Sequence, residues 1–212
     1  MTSGQHTVTT PLGFAPLADA ILRASEGIPR LHLAIAGPPA SGKSTTSERL
    51  AQALGPAAQV IPMDGFHLDN ATLTARGRLH RKGAPDTFDV AGFAAMLTDL
   101  RAGTLRTYPT FDRRADATMP DGGRIRPEAR IFLIEGNYLL LERDGWRDLA
   151  PFWDKTIFLP VAEDVLRARL TRRWLDHGLS QDAARARAEE NDLPNALTVM
   201  RESRPADFNL ID

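Results

Sequence analysis

The chain has 212 residues with a formal net charge of −1, 42% hydrophobic and 25% charged residues, and no cysteine. That length supports one domain with a substantial core, and the missing cysteines exclude disulfides, thiolate metal sites and cysteine catalysis. The balanced charge argues against a general nucleic-acid or membrane-surface binder, and no apolar run reaches the ~20 residues that span a bilayer.

Residues 1 to about 11 have neither the cationic region nor the apolar core of a signal peptide and read as a frayed terminus. A cytoplasmic protein is expected. Leu17, Ile21 and Leu22 then form a short helical stripe closed at Gly27, so residues 1–27 make an N-terminal extension with one helix. The apolar run Leu31 to Ala36 predicts a buried parallel strand, and Lys43 to Leu54 has helical periodicity. Between them lies Gly37 to Ser44, which fits G-x-x-x-x-G-K-[ST], the phosphate-binding loop, in its strand–loop–helix setting. Gly37 and Gly42 let the backbone around Ala40 and Ser41 curl so that successive N–H groups face one anion. The helix that starts at Lys43, Ser44 and Thr45 adds its positive end. Lys43 reaches the β and γ phosphates, and the Ser44 hydroxyl is a Mg²⁺ ligand. A nucleoside triphosphate is the expected ligand.

Further along, Gln59 to Met63 predicts a second strand, leading into Asp64 to Asp69. Arg76 to Asp89 reads as a loop carrying the basic trio His80, Arg81 and Lys82. Val90 to Leu100 predicts a helix with Phe93, Met96, Leu97 and Leu100 on one face, stopped by Gly103. Arg106 to Asp112 alternates weakly, and Asp121-Gly122-Gly123 looks like a turn, such as that of a hairpin. Ile131 to Gly136 predicts a third strand, Trp146 to Ala150 a short helix and Lys155 to Val161 a fourth strand. Helices follow over Val161 to His177, Ser180 to Glu190 and Leu193 to Arg201, and Ala206 to Ile211 predicts a last strand. This alternation argues for an α/β domain with a mostly parallel sheet covered on both faces.

In such sheets ligands sit beyond the carboxyl ends of the strands. Asp64, Asp112 and Glu135 each close or follow an apolar strand and are expected at that edge. Glu135 suits the acid that holds Mg²⁺, unless it merely faces solvent. Asp64 suits the group that orients and deprotonates an acceptor hydroxyl, unless the Asp-Gly pair is only a turn. Asp112, followed by Arg113 and Arg114, is open between a substrate contact and an ion pair. On the helix from Val161, Val165, Leu166, Leu170 and Trp174 form an apolar face at ~100° per residue. Arg169 and Arg173 fall within its sector, where buried cations need an anionic partner: a triphosphate or core acids. The segment from Trp174 to Asn191, broken at Gly178, has the character of a lid.

Gly37 to Thr45, Met63 to His67, Arg81 to Asp89, Tyr108 to Arg113 and Ile134 to Tyr138 together resemble the phosphoribulokinase/uridine kinase family, in the same order over about residues 31 to 211. Bacterial-type pantothenate kinase belongs to that group. The resemblance implies a three-layer P-loop NTPase fold with a helical lid, with ATP and Mg²⁺ as cofactors and a small-molecule hydroxyl as acceptor. It implies Asp64 as catalytic base and Lys43, Arg169 and Arg173 as charge stabilisers, with Ser44 and Glu135 in the metal shell. Lys82, Asp86, Tyr108, Asp112 and Arg113 would border the acceptor. Arg172 to Gly178 and Glu190 to Asn195 are similar to a bacterial subgroup described as nucleoside kinase-like or as fructose transport system kinases. Asp86 to Asp89 is closer to the uridine kinase form and Met63 to His67 to the pantothenate kinase form, so a sugar, a pantothenate-like compound and a nucleoside all stand as acceptors. The competing expectation is a nucleotide-binding regulatory partner of a transporter or enzyme.

Overall fold

The structure, a computed structural model, describes residues 10–211; residues 1–9, most of the expected frayed terminus, lie outside the described residues, as does Asp212. In chain order the elements are β1 (Thr10–Leu12), α1 (Phe14–Ala24), β2 (Leu31–Ala36), α2 (Lys43–Leu54), β3 (Ala58–Pro62), a 3-10 turn (Met63–Phe66) and α3 (Asn70–Ala75). Then come α4 (Val90–Ala102), β4 (Thr107–Asp112), β5 (Ala117–Arg124), β6 (Ile131–Gly136), β7 (Lys155–Phe158) and α5 (Glu163–Asp176). The chain closes with α6 (Gln181–Arg187), a π turn (Ala188–Asp192), α7 (Leu193–Glu202) and β8 (Phe208–Leu210).

Six strands form a parallel sheet in the order β1-β8-β7-β2-β6-β3. Its centre, β2 and β6, is buried at every position. Both strands are therefore near-continuous apolar runs, as a sheet covered on two faces requires. Leu31, Leu33 and Ile35 pack with α1 and α2 through Leu17, Ile21 and Leu50. Ala34 and Ala36 face the opposite way, toward Phe93 and Leu97 of α4 and toward Tyr138 and Trp146. The result is three layers, as expected. A third, smaller cluster of Leu166, Leu170, Ala188, Leu193 and Ala196 joins α5 to the π turn and α7. Among the described residues no helix is long and apolar enough to cross a membrane.

The structure corrects several expected elements. Thr10–Leu12, assigned to the frayed end, is a strand that pairs in parallel with β8; three residues are too few to show a period. Asp121-Gly122-Gly123 is not a turn but lies within β5, and the hairpin turns instead at residues 113–116, where Asp116 adopts φ 50°. The glycines serve cross-strand packing: a Cβ on Gly122 would lie 1.8 Å from the Thr110 hydroxyl, and one on Gly123 2.2 Å from the Tyr108 ring. The unforeseen α3 starts because Asp69 caps it, accepting from the Thr72 N–H at 2.7 Å. Leu22, placed on the stripe of α1, is 42% exposed.

The hairpin β4–β5 covers the outer edge of β3 and is tied to it through Gln59. The Gln59 amide donates to the Arg124 carbonyl at 2.9 Å, and its oxygen accepts from the Arg126 N–H at 2.9 Å. The hairpin also packs on the Met63–Phe66 turn so closely that a Cβ on Gly65 would sit 2.1 Å from the Pro109 carbonyl oxygen. Only glycine fits there.

One residue of β2 breaks its apolar pattern. His32 is fully buried beside Phe132, and neither ring nitrogen has a hydrogen-bond partner among the described residues. Burial, reinforced by Arg101, lowers its pKa to about 4 from an ordinary 6.5. The folded state therefore refuses a proton that the unfolded chain accepts. Stability is full above pH 6.5 and is lost as the pH falls toward 4, by about 3 kcal/mol in all. Denaturant titrations at pH 7 and pH 4 should show that loss in the wild type and a correspondingly smaller one in His32→Leu. Equal losses in the two proteins would contradict it.

Candidate active site

The phosphate loop leaves β2 at Ala36. Gly42 takes φ 93° and Ala40 φ 64°, left-handed conformations that turn the chain back on itself. Gly37 is needed for close approach instead, since a Cβ there would lie 3.0 Å from both the Leu159 carbonyl oxygen and the Ser41 hydroxyl. At the start of α2 the first backbone bond is Thr46 N–H to the Gly42 carbonyl, 2.9 Å. The amides of Lys43, Ser44 and Thr45 before it belong to the helix end that lacks internal partners.

Lys43 is buried, and its ammonium donates to the Pro38 carbonyl at 3.0 Å and the Asn137 side-chain oxygen at 2.7 Å. No carboxylate touches it within ion-pair distance among the described residues. Burial pushes its pKa down, while Glu135 and Asp64 push it back up. Glu135, at the buried end of β6, accepts from the Ser44 hydroxyl at 3.2 Å, and burial pushes its pKa up against the pull of Lys43. Nearby, the Ser41 hydroxyl is buried without a partner among the described residues. A desolvated cation held by neutral oxygens, free helix-end amides and an orphaned hydroxyl form a cradle suited to a multiply charged anion.

Asp64 lies in the turn that follows β3. Its Oδ2 meets the Arg113 guanidinium at 2.6 Å, and its backbone carbonyl accepts from His67 Nδ1 at 2.7 Å. His67 is wedged between the rings of Phe88 and Phe111, with centroids 4.1 and 4.6 Å away, and its burial lowers its pKa. Asp64 therefore stands beside an aromatic wall, at the same sheet edge as Lys43 and Glu135.

Arg113 is the one expected acceptor contact seen bonded to Asp64; the others are engaged elsewhere. Asp112 does not sit at the edge of the parallel sheet but at the hairpin tip, where it accepts from the Arg114 and Ala115 N–H groups at 2.8 and 3.1 Å. The Lys82 ammonium is held by the Asn70 oxygen at 2.7 Å and the Asp116 carboxylate at 2.8 Å. Asp86 pairs with Arg78 and Arg81. Tyr108 is buried beneath the hairpin, with its hydroxyl on the Val60 carbonyl at 3.3 Å.

The arginines of α5 also differ from expectation. Leu166 and Leu170 are buried, chiefly against the π turn and α7, but Val165 is 37% exposed. Arg169 is exposed rather than buried, and it donates to the Ala40 carbonyl of the phosphate loop at 3.3 Å. Among the described residues Arg173 is half-buried without an ion pair; burial and then the like charge of Arg113 push its pKa down, against Asp192 and Asp64. Both arginines border an open cleft lined also by Arg172, Asp176 and His177. The expected lid segment touches the loop opposite, with Asn191 donating to the Lys82 carbonyl at 3.2 Å and Arg187 to the His80 carbonyl at 3.3 Å. Asn137 and His67 were not singled out in advance, although both lie inside quoted motifs, two and three residues beyond an acid.

No family model matches the chain. A Schizosaccharomyces pombe protein named "Putative uridine kinase" is 35% identical over 184 residues, covering 80% of this chain and 78% of that protein. An Allorhizobium ampelinum "Pantothenate kinase" is 30% identical over 155 residues, 68% of this chain and 47% of that longer protein. Among solved structures, a "putative fructose transport system kinase" from Silicibacter superimposes with a TM-score of 0.89 at 47% identity, covering 93% of this chain and 98% of that one. With its phosphate loop, sheet order and these relatives, the chain belongs to the phosphoribulokinase/uridine kinase family of P-loop kinases.

Proposed function

We propose that this protein transfers the γ-phosphate of ATP to a hydroxyl group of a small metabolite, as the names of its relatives suggest for sugars, nucleosides and pantothenate. One observation carries the reading. The neighbouring strands β2, β6 and β3 end at one edge and bring Lys43, Glu135 and Asp64 into a common electrostatic field, in which both carboxylates act on the Lys43 ammonium.

ATP binds with its phosphates on the amides of the loop and on Lys43. Asp64, past the end of β3, takes the proton of the acceptor hydroxyl as its oxygen forms a bond to the γ-phosphorus. The bond from that phosphorus to the β–γ bridging oxygen breaks, and ADP leaves with the electron pair. Lys43 and the α5 arginines offset the charge on the transferring group, which is where most catalysis of phosphoryl transfer lies. Ser44 and Glu135 fit Mg²⁺: a hydroxyl and one carboxylate, 3.2 Å apart, with no cluster of three or more His, Asp or Glu ligands among the described residues. This is the sparse protein donor set that Mg²⁺ adopts when phosphates and water complete its shell. Bound there, it would neutralise phosphate charge.

Purified protein assayed for ADP release against fructose, uridine, pantothenate and hydroxy acids should reveal an acceptor. With that acceptor, Asp64→Asn should lower kcat by about 10²- to 10⁴-fold while ATP affinity changes less than about threefold. Undiminished turnover in Asp64→Asn would remove it from the role of base. Lys43→Met should instead weaken ATP binding by roughly 10- to 100-fold, measured by calorimetry, since it deletes a charge-assisted contact.

A further inference from the structure

Asp64, assigned above to take the acceptor's proton, is not free. Its Oδ2 is already bound to Arg113 at 2.6 Å. A guanidinium stays charged at any physiological pH, and the carboxylate oxygen that it occupies is not open to an acceptor hydroxyl. Something must draw Arg113 away when the acceptor arrives.

The surroundings say what that is. Arg113 projects from a hairpin turn that is fixed from both sides. Asp112 holds the turn's amides at 2.8 and 3.1 Å, and Asp116 is gripped by Lys82 and Asn70, each at 2.8 Å. The backbone is anchored while the side chain, 59% exposed, is at liberty to swing. A pair with one partner this exposed is only weakly held. Within reach of the Arg113 charge is Arg173, a half-buried guanidinium with no hydrogen bond or ion pair among the described residues. Of the acids that act on Arg173, Asp64 is shared with Arg113, and Asp192 accepts from the Trp174 indole at 2.6 Å. The acceptor side of the site thus carries two guanidinium groups and one shared carboxylate. Lys82 adds nothing to this surplus, being paired with Asp116. Arg169 lies one helical turn away against the phosphate loop, on the donor side.

Building on the kinase reading, we propose that the acceptor is an anionic hydroxyl compound, bearing a carboxylate or a phosphate, and that Arg113 is its specificity-determining residue. The oxyanion takes over the Arg113 guanidinium, with Arg173 as its second donor, and so frees Asp64 for the hydroxyl. His67, Phe88 and Phe111 flank the carbon skeleton. A neutral alcohol leaves Arg113 on Asp64 and is a poor substrate. The charge surplus becomes a test of what has entered.

The experiment measures ADP release with matched pairs: glycerol and glycerate, fructose and fructose 6-phosphate, uridine and UMP, pantothenol and pantothenate. The productive acceptor should be the anionic member of a pair, with kcat/KM about 100-fold or more above its neutral partner. Arg113→Ala should raise KM for that acceptor by roughly 10- to 100-fold and erase most of the preference, with Arg113→Lys between and the KM for ATP within about twofold. A neutral member preferred over its anionic partner, or a preference that survives Arg113→Ala, overturns the inference and leaves the kinase reading intact. If no pair supports ADP release, calorimetry with the four anionic compounds and a non-hydrolysable ATP analogue decides. Binding that Arg113→Ala abolishes upholds the anion site and overturns the kinase reading, whereas no Arg113-dependent binding overturns the inference as well.

Discussion

The register of β6 between β2 and β3 governs the site. Glu135 stands opposite Ile35 on one side and Pro62 on the other. That pairing sets Glu135 beside Ser44, two residues before Asn137 and at the level where β3 gives way to Asp64. A slip of one residue would send every side chain of β6 to the other face. The apolar pattern forbids it. Ile131 and Leu133 belong to the core shared with α1 and α2, and Phe132 and Ile134 to the core shared with α4. Two ordinary hydrophobic cores thus hold a carboxylate where water cannot easily reach it.

The electrostatics follow from that placement. Taking an ion out of water costs several kcal/mol unless it is matched. Lys43 and Glu135 are both buried, yet neither is matched directly: Lys43 leans on two neutral oxygens, and Glu135 on one hydroxyl. Desolvation drives each toward its neutral form, and each opposes the shift in the other. Such an arrangement is a poor device for stability and a good one for gripping a ligand with charge of its own. The same logic recurs on the acceptor side, where Arg173 lacks a partner among the described residues and Arg113 borrows Asp64.

The parts of the fold that obey a strong period were legible in the sequence. Leu31 to Ala36, Lys43 to Leu54, Val90 to Leu100 and Ile131 to Gly136 were placed to within a residue or two, because burial on a regular element writes itself into the chain. The phosphate loop was legible because its chemistry fixes its spacing. Three-residue β1 has no room for a pattern. Gly122 and Gly123 look like a turn to any local reading, and only the Thr110 and Tyr108 side chains across the hairpin explain them. The candidate acceptor residues were the least legible. Lys82, Asp86 and Asp112 are found beside the right motifs, but whether a charge is free depends on partners such as Asp116, Arg78 and the Arg114 amide, brought in by tertiary packing. The helical wheel put Arg169 and Arg173 in an apolar sector without showing that the π turn and α7 cover Leu166 and Leu170 but leave Val165 and Arg169 exposed.

If one sheet edge joins a donor phosphate to an acceptor hydroxyl, the phosphoryl group itself can be followed. ATP labelled with ³²P in its γ-phosphate is incubated with the protein, Mg²⁺ and a pool of small hydroxyl metabolites. Label should appear in a phosphate monoester that alkaline phosphatase releases as inorganic phosphate. Label that stays in ATP, or passes only to inorganic phosphate whatever metabolites are supplied, would contradict the transfer.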